Sequence, residues 1–451
     1  MSSLMTWVQT INEWIWGPPL VILLFAVGCL LTYRTRGVQF RYLYYAHKLA
    51  FTRHDDSAQG DISHFQALMT ALAGTIGIGS IAGVATGIVI GGYGALFWMW
   101  VVGLIGMATK FSEALLAIKY RVVDEAGEMC GGPMEYLERG AKKRVLAILF
   151  SFFAAVAALG TGNMIQANSV ALAIQEIAGV NPIWIGLVLT IFVGAALFGG
   201  IKSIGRVASI LVPSMAILYI LGGIVLLAMN ASAIPHAFYL IFKYAFTPQA
   251  ATGGFAGASV LLAIQMGASR SIFSSESGLG TSPIAAAAAK TDTPGRQALI
   301  SMSSAFITII IVCTITGLAI GVSGVLGHMG ADGKPLDGAA LALRAFDTLF
   351  PGGGIFVTIA LVAFAYSTIL AWAYYGEKCI EYLFGIRAIK PFRIIYTLVV
   401  FPGALLSLRL IWGMANIMNG LMILPNLIGL LLLSKIVSLE TKSFDLLHKK
   451  E

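Results

Sequence analysis

Residues 267–283 of the chain read GASRSIFSSESGLGTSP, a stretch that is polar and rich in glycine. It stands between long apolar runs, yet it carries Arg270 and Glu276 and ends on Pro283. A charged side chain at membrane depth is costly when it faces lipid. We therefore expect this stretch to be the broken part of a helix that faces the protein interior, because unwound backbone in a membrane persists only where it is buried or lines a cavity.

A second glycine-rich stretch lies nearer the N-terminus, at residues 71–83 (ALAGTIGIGSIAG). Gly77 and Gly79 are two residues apart and lie on different faces of a helix, whereas close helix packing favours glycines four residues apart. Each glycine inside a helix also costs about 1 kcal/mol relative to alanine. Close packing is the alternative explanation, but the spacing favours a second local unwinding near the middle of the membrane.

The composition sets the class of protein. Of 451 residues, 58% are hydrophobic and only 11% are charged, against about 25% charged in soluble domains. The net charge of +8 does not indicate a nucleic-acid partner, because the basic residues are scattered between apolar runs. The four cysteines form no C-x-x-C pair, so we expect neither a disulfide framework nor a metal cluster. The composition predicts an all-α, polytopic membrane protein embedded in a lipid bilayer.

Crossing a bilayer takes about 20 mainly apolar residues, and eleven segments of the chain fulfil this. They are residues 18–33, 64–89, 92–118, 145–176, 182–200, 205–229, 254–289, 297–325, 352–385, 392–410 and 413–434.

The distribution of basic residues predicts the orientation of these spans. With the N-terminus outside and the C-terminus inside, 22 Lys and Arg residues fall in inside segments and four in outside loops. Cytoplasmic loops carry the excess of positive charge, so this orientation is favoured, and an odd number of spans follows from it.

The two predicted breaks fall in the second and seventh spans. Five spans separate them, so two blocks of five would enter the membrane with opposite orientations, as in an inverted repeat with a binding site near the midplane. A break exposes amides at one half-helix start, which suit a carboxylate. It also exposes carbonyls at the other half-helix end, which suit a hard cation such as Na⁺. A zwitterion bound together with sodium fits both.

Four motifs carry a resemblance to a known family. They are AGTIGIGSIAGV at 73–84, GTGNMIQANS at 160–169, SIFSSESGLG at 271–280 and FAYSTILAWAYYGE at 364–377. With these motifs in this order, the chain resembles the alanine/glycine:cation symporters, also called the sodium:alanine symporter family, of the amino acid–polyamine–organocation group. The family usually has Asn where this chain has Ser80 and Ser275.

The resemblance implies a leucine-transporter-type fold of two inverted five-helix repeats with one extra N-terminal span. It also implies sodium-coupled uptake of alanine or glycine across the cytoplasmic membrane of a bacterium or archaeon, without an organic cofactor. The corresponding division is an N-terminal span and inner loop, a first repeat, an outer loop, a second repeat and an inner tail: residues 1–63, 64–229, 230–253, 254–434 and 435–451.

The resemblance further implies the residues of the site. The amides of Ile78 and Gly79 would hold the substrate carboxylate. The other substrate-binding residues would be Thr75, Gly77, Gln166, Phe273, Ser274 and Trp372. The sodium ion would be bound by the carbonyls of Ala73 and Ile76 and the hydroxyls of Ser367 and Thr368, with Ser80 as a further candidate ligand.

Three charged residues at membrane depth need partners. We expect Arg270 and Glu276 to form a structural or gating pair, and Glu113 to be paired inside the bundle.

Other functions fit the sequence less well. A membrane enzyme would need a catalytic constellation, and neither H-E-x-x-H nor the ATP-binding G-x-x-x-x-G-K-[ST] occurs. A channel would normally require subunits repeated around a pore. A symporter of the same fold for another small solute, or one coupled to protons, remains an alternative, and the sequence leaves the oligomeric state open.

Overall fold

The computed structural model describes residues 2–52, 59–291, 293–330, 333–406 and 408–448, and most of these residues are helical. Arg53, Lys449 and Lys450, three of the basic residues that predict the orientation, lie outside the described residues.

The first part of the chain forms twelve helices among these residues. They are α1 (Ser2–Ile15), α2 (Pro18–Arg34), α3 (Val38–Arg41), α4 (Leu43–Phe51), α5 (His64–Thr75), α6 (Ala82–Gly91), α7 (Gly94–Lys119), α8 (Pro133–Glu135), α9 (Arg144–Ala157), α10 (Ile165–Ala178), α11 (Pro182–Leu197) and α12 (Gly200–Met229). Two short antiparallel strands between α7 and α8 form a hairpin, β1 (Val122–Val123) and β2 (Met129–Cys130).

The second part continues the series. Its helices are α13 (Ile234–Phe246), α14 (Val260–Ser275), α15 (Ser282–Ala287), α16 (Pro294–Ala305), α17 (Thr314–Ser323), α18 (Gly338–Leu349), α19 (Gly353–Phe384), α20 (Ile389–Leu405) and α21 (Leu408–His448). Shorter 3₁₀ and π segments join or extend several of them, namely Tyr136–Gly140, Ala158–Met164, Phe306–Cys313, Ile78–Ser80, Ala231–Ala233 and Ile386–Ala388.

Seven helices within the described residues are long and apolar enough to cross a membrane: Gly94–Lys119, Arg144–Ala178, Gly200–Met229, Pro294–Ser323, Gly353–Phe384, Ile386–Leu405 and Trp412–Leu446. Three shorter apolar helices, Pro18–Arg34, Ala82–Gly91 and Pro182–Leu197, accompany them. The prediction of a mostly helical, polytopic membrane protein is thereby confirmed.

Two segments differ from the prediction. The loop predicted at 230–253 contains α13, a helix that buries Ala237, Ile241 and Ala245 at four-residue intervals, a spacing typical of one helix face. The last span does not end at residue 434, because α21 continues to His448. Its final turns bury Val437, Thr441 and Phe444, and this buried face keeps the segment helical where a tail was predicted.

Both predicted breaks are present. The first half of the first broken helix, α5, is capped by Ser63, whose hydroxyl accepts a hydrogen bond from the Gln66 amide at 3.2 Å, and it ends at Thr75. Gly77 is extended, with φ −113° and ψ −163°, before a single 3₁₀ turn leads into α6. The second break follows α14, where Glu276 adopts the left-handed conformation with φ 57°. Gly278 and Gly280 also have positive φ, a conformation that glycine adopts without steric cost.

Candidate functional site

The backbone amides of the first break are buried inside the protein. Ile78, Gly79 and Ser80 form the 3₁₀ turn, and all three are buried. The N–H of Ile78 donates to the Oε1 atom of Gln166 at 3.4 Å. The first break therefore contains a backbone N–H donor that is within hydrogen-bonding distance of the Gln166 side chain.

Gln166 reaches this amide from α10. The turns before it form a π segment, Ala158–Met164, and π-helical turns are frequent at functional sites. The Nε2 atom of Gln166 donates to the carbonyl of Thr161 at 3.2 Å, which fixes the orientation of the carboxamide. Gln166 thus lies where the sequence predicted it, with its oxygen directed at the first break.

A hydroxyl of α19 lies on the other side of this break. The Oγ1 atom of Thr368 donates to the carbonyl of Ala73 at 2.8 Å, and a Cβ added at Gly77 would lie 2.6 Å from the same Oγ1. Both hydroxyls lie 2.9 Å from the carbonyl of Phe364, but Ser367 is turned away from the break, because its Oγ contacts the sulfur of Met215. Of the two predicted hydroxyls, the structure brings Thr368 to the break and directs Ser367 toward α12.

The remaining predicted residues of the first break are buried as well. Thr75 donates to the carbonyl of Ala71 at 3.1 Å, and Thr308 donates to the hydroxyl of Thr75 at 3.2 Å. The amide of Ile76 donates to Leu72 and ends α5. The hydroxyl of Ser80 is buried and lies beside the thiol of Cys313.

Aromatic rings cover the site. A Cβ added at Gly79 would lie 2.7 Å from the ring of Phe273 and 3.1 Å from the hydroxyl of Ser274, so Gly79 is in close contact with the second broken helix. The ring of Phe273 stacks against Trp412, with 5.1 Å between ring centroids. Trp372 is 2% exposed and lies directly on Gly162. The sequence did not indicate Trp412, which lies in the second turn of α21 without any motif around it.

The predicted pair of Arg270 and Glu276 is wrong. The guanidinium of Arg270 lies over the ring of Trp412, 5.4 Å from its centroid, and its stem passes Gly87 on α6. Six residues along an α-helix correspond to about 240° of rotation, so the two side chains leave α14 on different faces. The left-handed conformation of Glu276 turns its side chain further away.

Lys110 on α7 is the cation that faces the second break. It is 1% exposed, and its Nζ donates to the carbonyl of Ser275, the last residue of α14, at 2.6 Å. A positive charge at a helix C-terminus is favoured by the helix dipole. Lys110 also interacts electrostatically with Glu276 and Glu113. Its spacing of three residues from Glu113, within an otherwise apolar helix, is the sequence signal that would have identified it.

Glu113 is paired inside the bundle, as predicted. Its Oε1 atom accepts from the amide of Gly278 at 3.1 Å and from the Nδ2 atom of Asn426 at 2.6 Å. Asn426 also donates to the carbonyl of Gly278 at 2.8 Å, so α7 and α21 together satisfy the unwound backbone. A Cβ added at Gly106 would lie 2.9 Å from that of Ser277, and the glycine therefore permits this close approach of α7.

A cavity of about 260 Å³ lies beyond the Phe273–Trp412 pair, beside the first two turns of α6. Its lining includes Thr86, Ser169, Asp337 and Trp412. Trp412 lines this cavity, while Phe273 contacts both Trp412 and Gly79. The two rings therefore lie between the cavity and the first break.

Comparison with known proteins shows which family model and which relatives this chain matches. The model of the sodium:alanine symporter family matches residues 1–451. The chain is 54% identical over 449 residues to a sodium/alanine symporter, AgcS, of Methanococcus maripaludis, with 98% of each chain covered. It is 36% identical to a putative sodium/proton-dependent alanine carrier protein of Bacillus subtilis, with 97% of this chain and 92% of that protein covered.

Solved structures show the same fold at low identity. The structure of MhsT in complex with L-phenylalanine superposes with a TM-score of 0.56 at 16% identity, covering 85% of this chain and 99% of that one. A Na⁺-coupled sialic acid symporter superposes with a TM-score of 0.51 at 14% identity, covering 92% and 82%.

Replacing Lys110 tests how the second break is stabilised. Lys110→Met leaves the Ser275 carbonyl without its donor and two buried carboxylates without their cation. Removing one partner of a buried ion pair costs about 3–5 kcal/mol, so we expect a large loss of thermal stability, measured on purified protein.

The matched control is Lys119→Met at the far end of the same helix. Lys119 pairs with Glu440 at 2.6 Å while both side chains are partly exposed, and such pairs contribute about 0–1 kcal/mol. Equal stability of the two variants would contradict the role given to Lys110.

Proposed function

The chain belongs to the sodium:alanine symporter family, and from this membership we propose that it takes up alanine or glycine together with Na⁺ by alternating access around the two breaks. Its relatives are transporters and not enzymes. The observation that carries the proposal is the contact between the Thr368 hydroxyl and the Ala73 carbonyl, together with the buried Ile78 amide nearby. A cation site and a carboxylate site would thus share one break.

The proposal includes the arrangement in the membrane. The chain would cross the bacterial or archaeal cytoplasmic membrane eleven times, with its N-terminus outside and two inverted repeats at 64–229 and 254–434. The distribution of Lys and Arg supports this orientation. The position of one break near the start of each repeat supports the symmetry.

The substrate carboxylate would bind the amides of Ile78 and Gly79. Backbone N–H groups at the start of a helical segment favour an anion, and no Lys or Arg lies within the first break. Gln166 supports the proposal because its carboxamide oxygen already accepts from Ile78. When substrate binds, the carboxylate would take this amide and Gln166 would turn its Nε2 donor to the ligand.

Sodium would bind beside the substrate at the carbonyls of Ala73 and Ile76 and the hydroxyl of Thr368. Ser367 would join them after rotating its side chain away from Phe364. Oxygen atoms of this kind suit a hard cation, and a half-helix C-terminus adds a favourable dipole. The ion therefore binds the residues just before those that hold the carboxylate, and this adjacency would couple the two ligands.

A small pocket would select the substrate. Phe273 lies against Gly79, and Trp372 fills the space over Gly162. Both rings are bulky and enclosed by helices, so a methyl group or hydrogen would fit beside them and a branched side chain would not. Thr75, Gly77 and Ser274 would complete the wall of the pocket.

Uptake into proteoliposomes tests the proposed function. Labelled alanine should accumulate when an inward Na⁺ gradient is imposed and should not accumulate when K⁺ replaces Na⁺. Excess glycine should compete and excess leucine should not. Accumulation without Na⁺, or equal competition by leucine, would contradict the proposal.

The two neighbouring hydroxyls should differ in their effect on sodium. Thr368→Val removes the oxygen that contacts Ala73, whereas Ser367→Ala removes one that points toward Met215. We expect Thr368→Val to raise the Na⁺ concentration for half-maximal uptake roughly tenfold or more, since one lost ligand contact of ~1–3 kcal/mol corresponds to that range. Ser367→Ala should raise it less. Unchanged sodium dependence in both variants would remove this site.

Two variants distinguish binding of the substrate carboxylate by backbone amides from its binding by the side chain of Arg270. Gly79→Val places a side chain within the contact distance of Phe273 and should abolish alanine binding in a protein that still elutes as a folded monodisperse species. Alaninamide should compete poorly, because it leaves buried amides unpaired at a cost of ~1–3 kcal/mol. If Arg270→Gln eliminates binding while Gly79→Val preserves it, a charged side chain holds the carboxylate and the proposal is wrong.

A further inference from the structure

A buried lysine lies at the end of α19 that is opposite the cavity. The Nζ atom of Lys378 lies 3.2 Å from Asp124, 3.2 Å from Glu128 and 2.9 Å from Glu381, and its side chain is fully buried. We call these four residues the lysine cluster. One ammonium thus pairs with three carboxylates, and it is the cation shared by the two buried ones, Asp124 and Glu381, while Arg393 adds an electrostatic interaction with Glu128.

Two of the carboxylates belong to the hairpin β1–β2. The Oδ1 atom of Asp124 accepts from the amides of Ala126 and Glu128 at 2.8 Å each, which closes the turn, while Oδ2 faces Lys378. Burial raises the pKa of Asp124, but the Glu128 amide, a hydrogen bond with Glu381 and the charge of Lys378 together bring it below its usual value. Asp124 is therefore ionised at neutral pH. The hairpin is a preformed unit, and Lys378 attaches it to α19.

The other side of the hairpin is attached to both broken helices. Arg121, next to β1, donates to the carbonyls of Ala287, Ala289 and Gln59 at 3.0, 2.7 and 2.9 Å. The amide of Met129 donates to Asp61 at 2.8 Å. Residues 59–62 precede α5, and residues 287–289 are the last residue of α15 and the two residues that follow it. The hairpin thus connects these two inner ends to α19.

The same two inner ends also bind each other. The amides of Asp61 and Ile62 donate to the carbonyl of Ala288 at 2.8 and 3.2 Å, and the amide of Lys290 donates to the carbonyl of Ile62 at 2.8 Å. A ligand leaving the breaks toward this end of the bundle must pass between these segments. They are closed here, whereas the opposite end of the bundle carries the cavity.

We propose that Lys378 is a positioning residue of the transport cycle. Its ammonium holds the hairpin on α19 and thereby keeps the inner ends of both broken helices closed. These ends open when substrate and Na⁺ are released. This inference rests on the proposed function for the direction of release. α19 also carries Thr368, about 15 Å from Lys378 along the helix, so the same helix takes part in ion binding and in closure. Release to the inside requires that the lysine cluster separates and becomes hydrated.

The chain contains its own reporter of this separation. The thiol of Cys130 is buried within the cluster, 3.6 Å from Asp124 and 3.5 Å from Glu381. A thiol reagent reaches it only when the hairpin leaves α19. Replacing the other three cysteines, Cys29, Cys313 and Cys379, by serine or alanine leaves Cys130 as the single thiol.

The experiment measures how fast Cys130 reacts with a membrane-impermeant maleimide in inside-out and right-side-out vesicles. In Lys378→Met the three carboxylates repel one another without their cation, so we expect labelling more than tenfold faster than in the parent, and from the inner face alone. Lys378→Arg should label at nearly the parent rate. Equal rates for Lys378→Met and the parent, or labelling from the outer face, would overturn the inference.

Arg393→Gln is the matched control. It breaks the pair between Arg393 and Glu377, 2.6 Å apart, which joins α20 to α19 at the same end of the bundle. Arg393 also interacts electrostatically with Glu128, but the variant leaves the three ion pairs of Lys378 in place. This variant should therefore raise the labelling of Cys130 far less than Lys378→Met does. Labelling that rises as much as in Lys378→Met would mean that any loss of charge at this end loosens the fold, and it would overturn the specific role of Lys378.

A measurement on the parent with Cys130 alone does not depend on whether the variants fold. Addition of alanine and Na⁺ should increase inner-face labelling several-fold over Na⁺ alone, because each transport cycle opens the cluster. If uptake proceeds while Cys130 reacts at an unchanged rate, the inference fails. If alanine is not transported but Lys378→Met still labels faster from the inner face, the inference holds and the proposed substrate fails.

Discussion

In the hydrocarbon of a bilayer, every backbone N–H and C=O group must find a partner within the protein. Two helices of this chain break in the buried interior of the bundle, and much of the architecture around them satisfies the groups that the breaks expose. Gln166 approaches the Ile78 amide, Thr368 binds the Ala73 carbonyl, and Thr316 donates to the carbonyl of Ser80 at 2.7 Å. At the second break, Lys110 binds the Ser275 carbonyl, and Glu113 binds the Gly278 amide.

The two breaks are satisfied in different ways, and this difference indicates different roles. The side chains that hydrogen-bond to the first break are polar but uncharged, so a carboxylate and a cation could replace them at modest cost. The Glu276 carboxylate lies close to Gly74, just before the break. A buried ammonium occupies the end of the half-helix at the second break, where a free cation would otherwise bind. We infer that the first break exchanges ligands, whereas the second is a fixed structural element that contributes Phe273 and Ser274 to the pocket.

The sequence was informative where backbone chemistry decides the structure. Both breaks were predicted from Gly77 and Gly79 and from the polar run that ends at Pro283, because glycine and proline disfavour a helix whatever surrounds them. It failed where partners come from distant helices. Arg270 and Glu276 are close in sequence, but the rotation of α14 separates them, and their contacts are Trp412 and Lys110 instead. The sequence did not predict the hairpin β1–β2, because strands of two residues are too short to show an alternation of apolar and polar residues.

We propose that one break binds the carboxylate and the sodium ion together. The test is equilibrium binding of alanine to the purified protein, measured by calorimetry in Na⁺ and in K⁺. We expect Na⁺ to lower the dissociation constant of alanine and alanine to lower the dissociation constant of Na⁺ by the same factor, since such coupling is reciprocal. Equal affinity for alanine in Na⁺ and in K⁺ would contradict it.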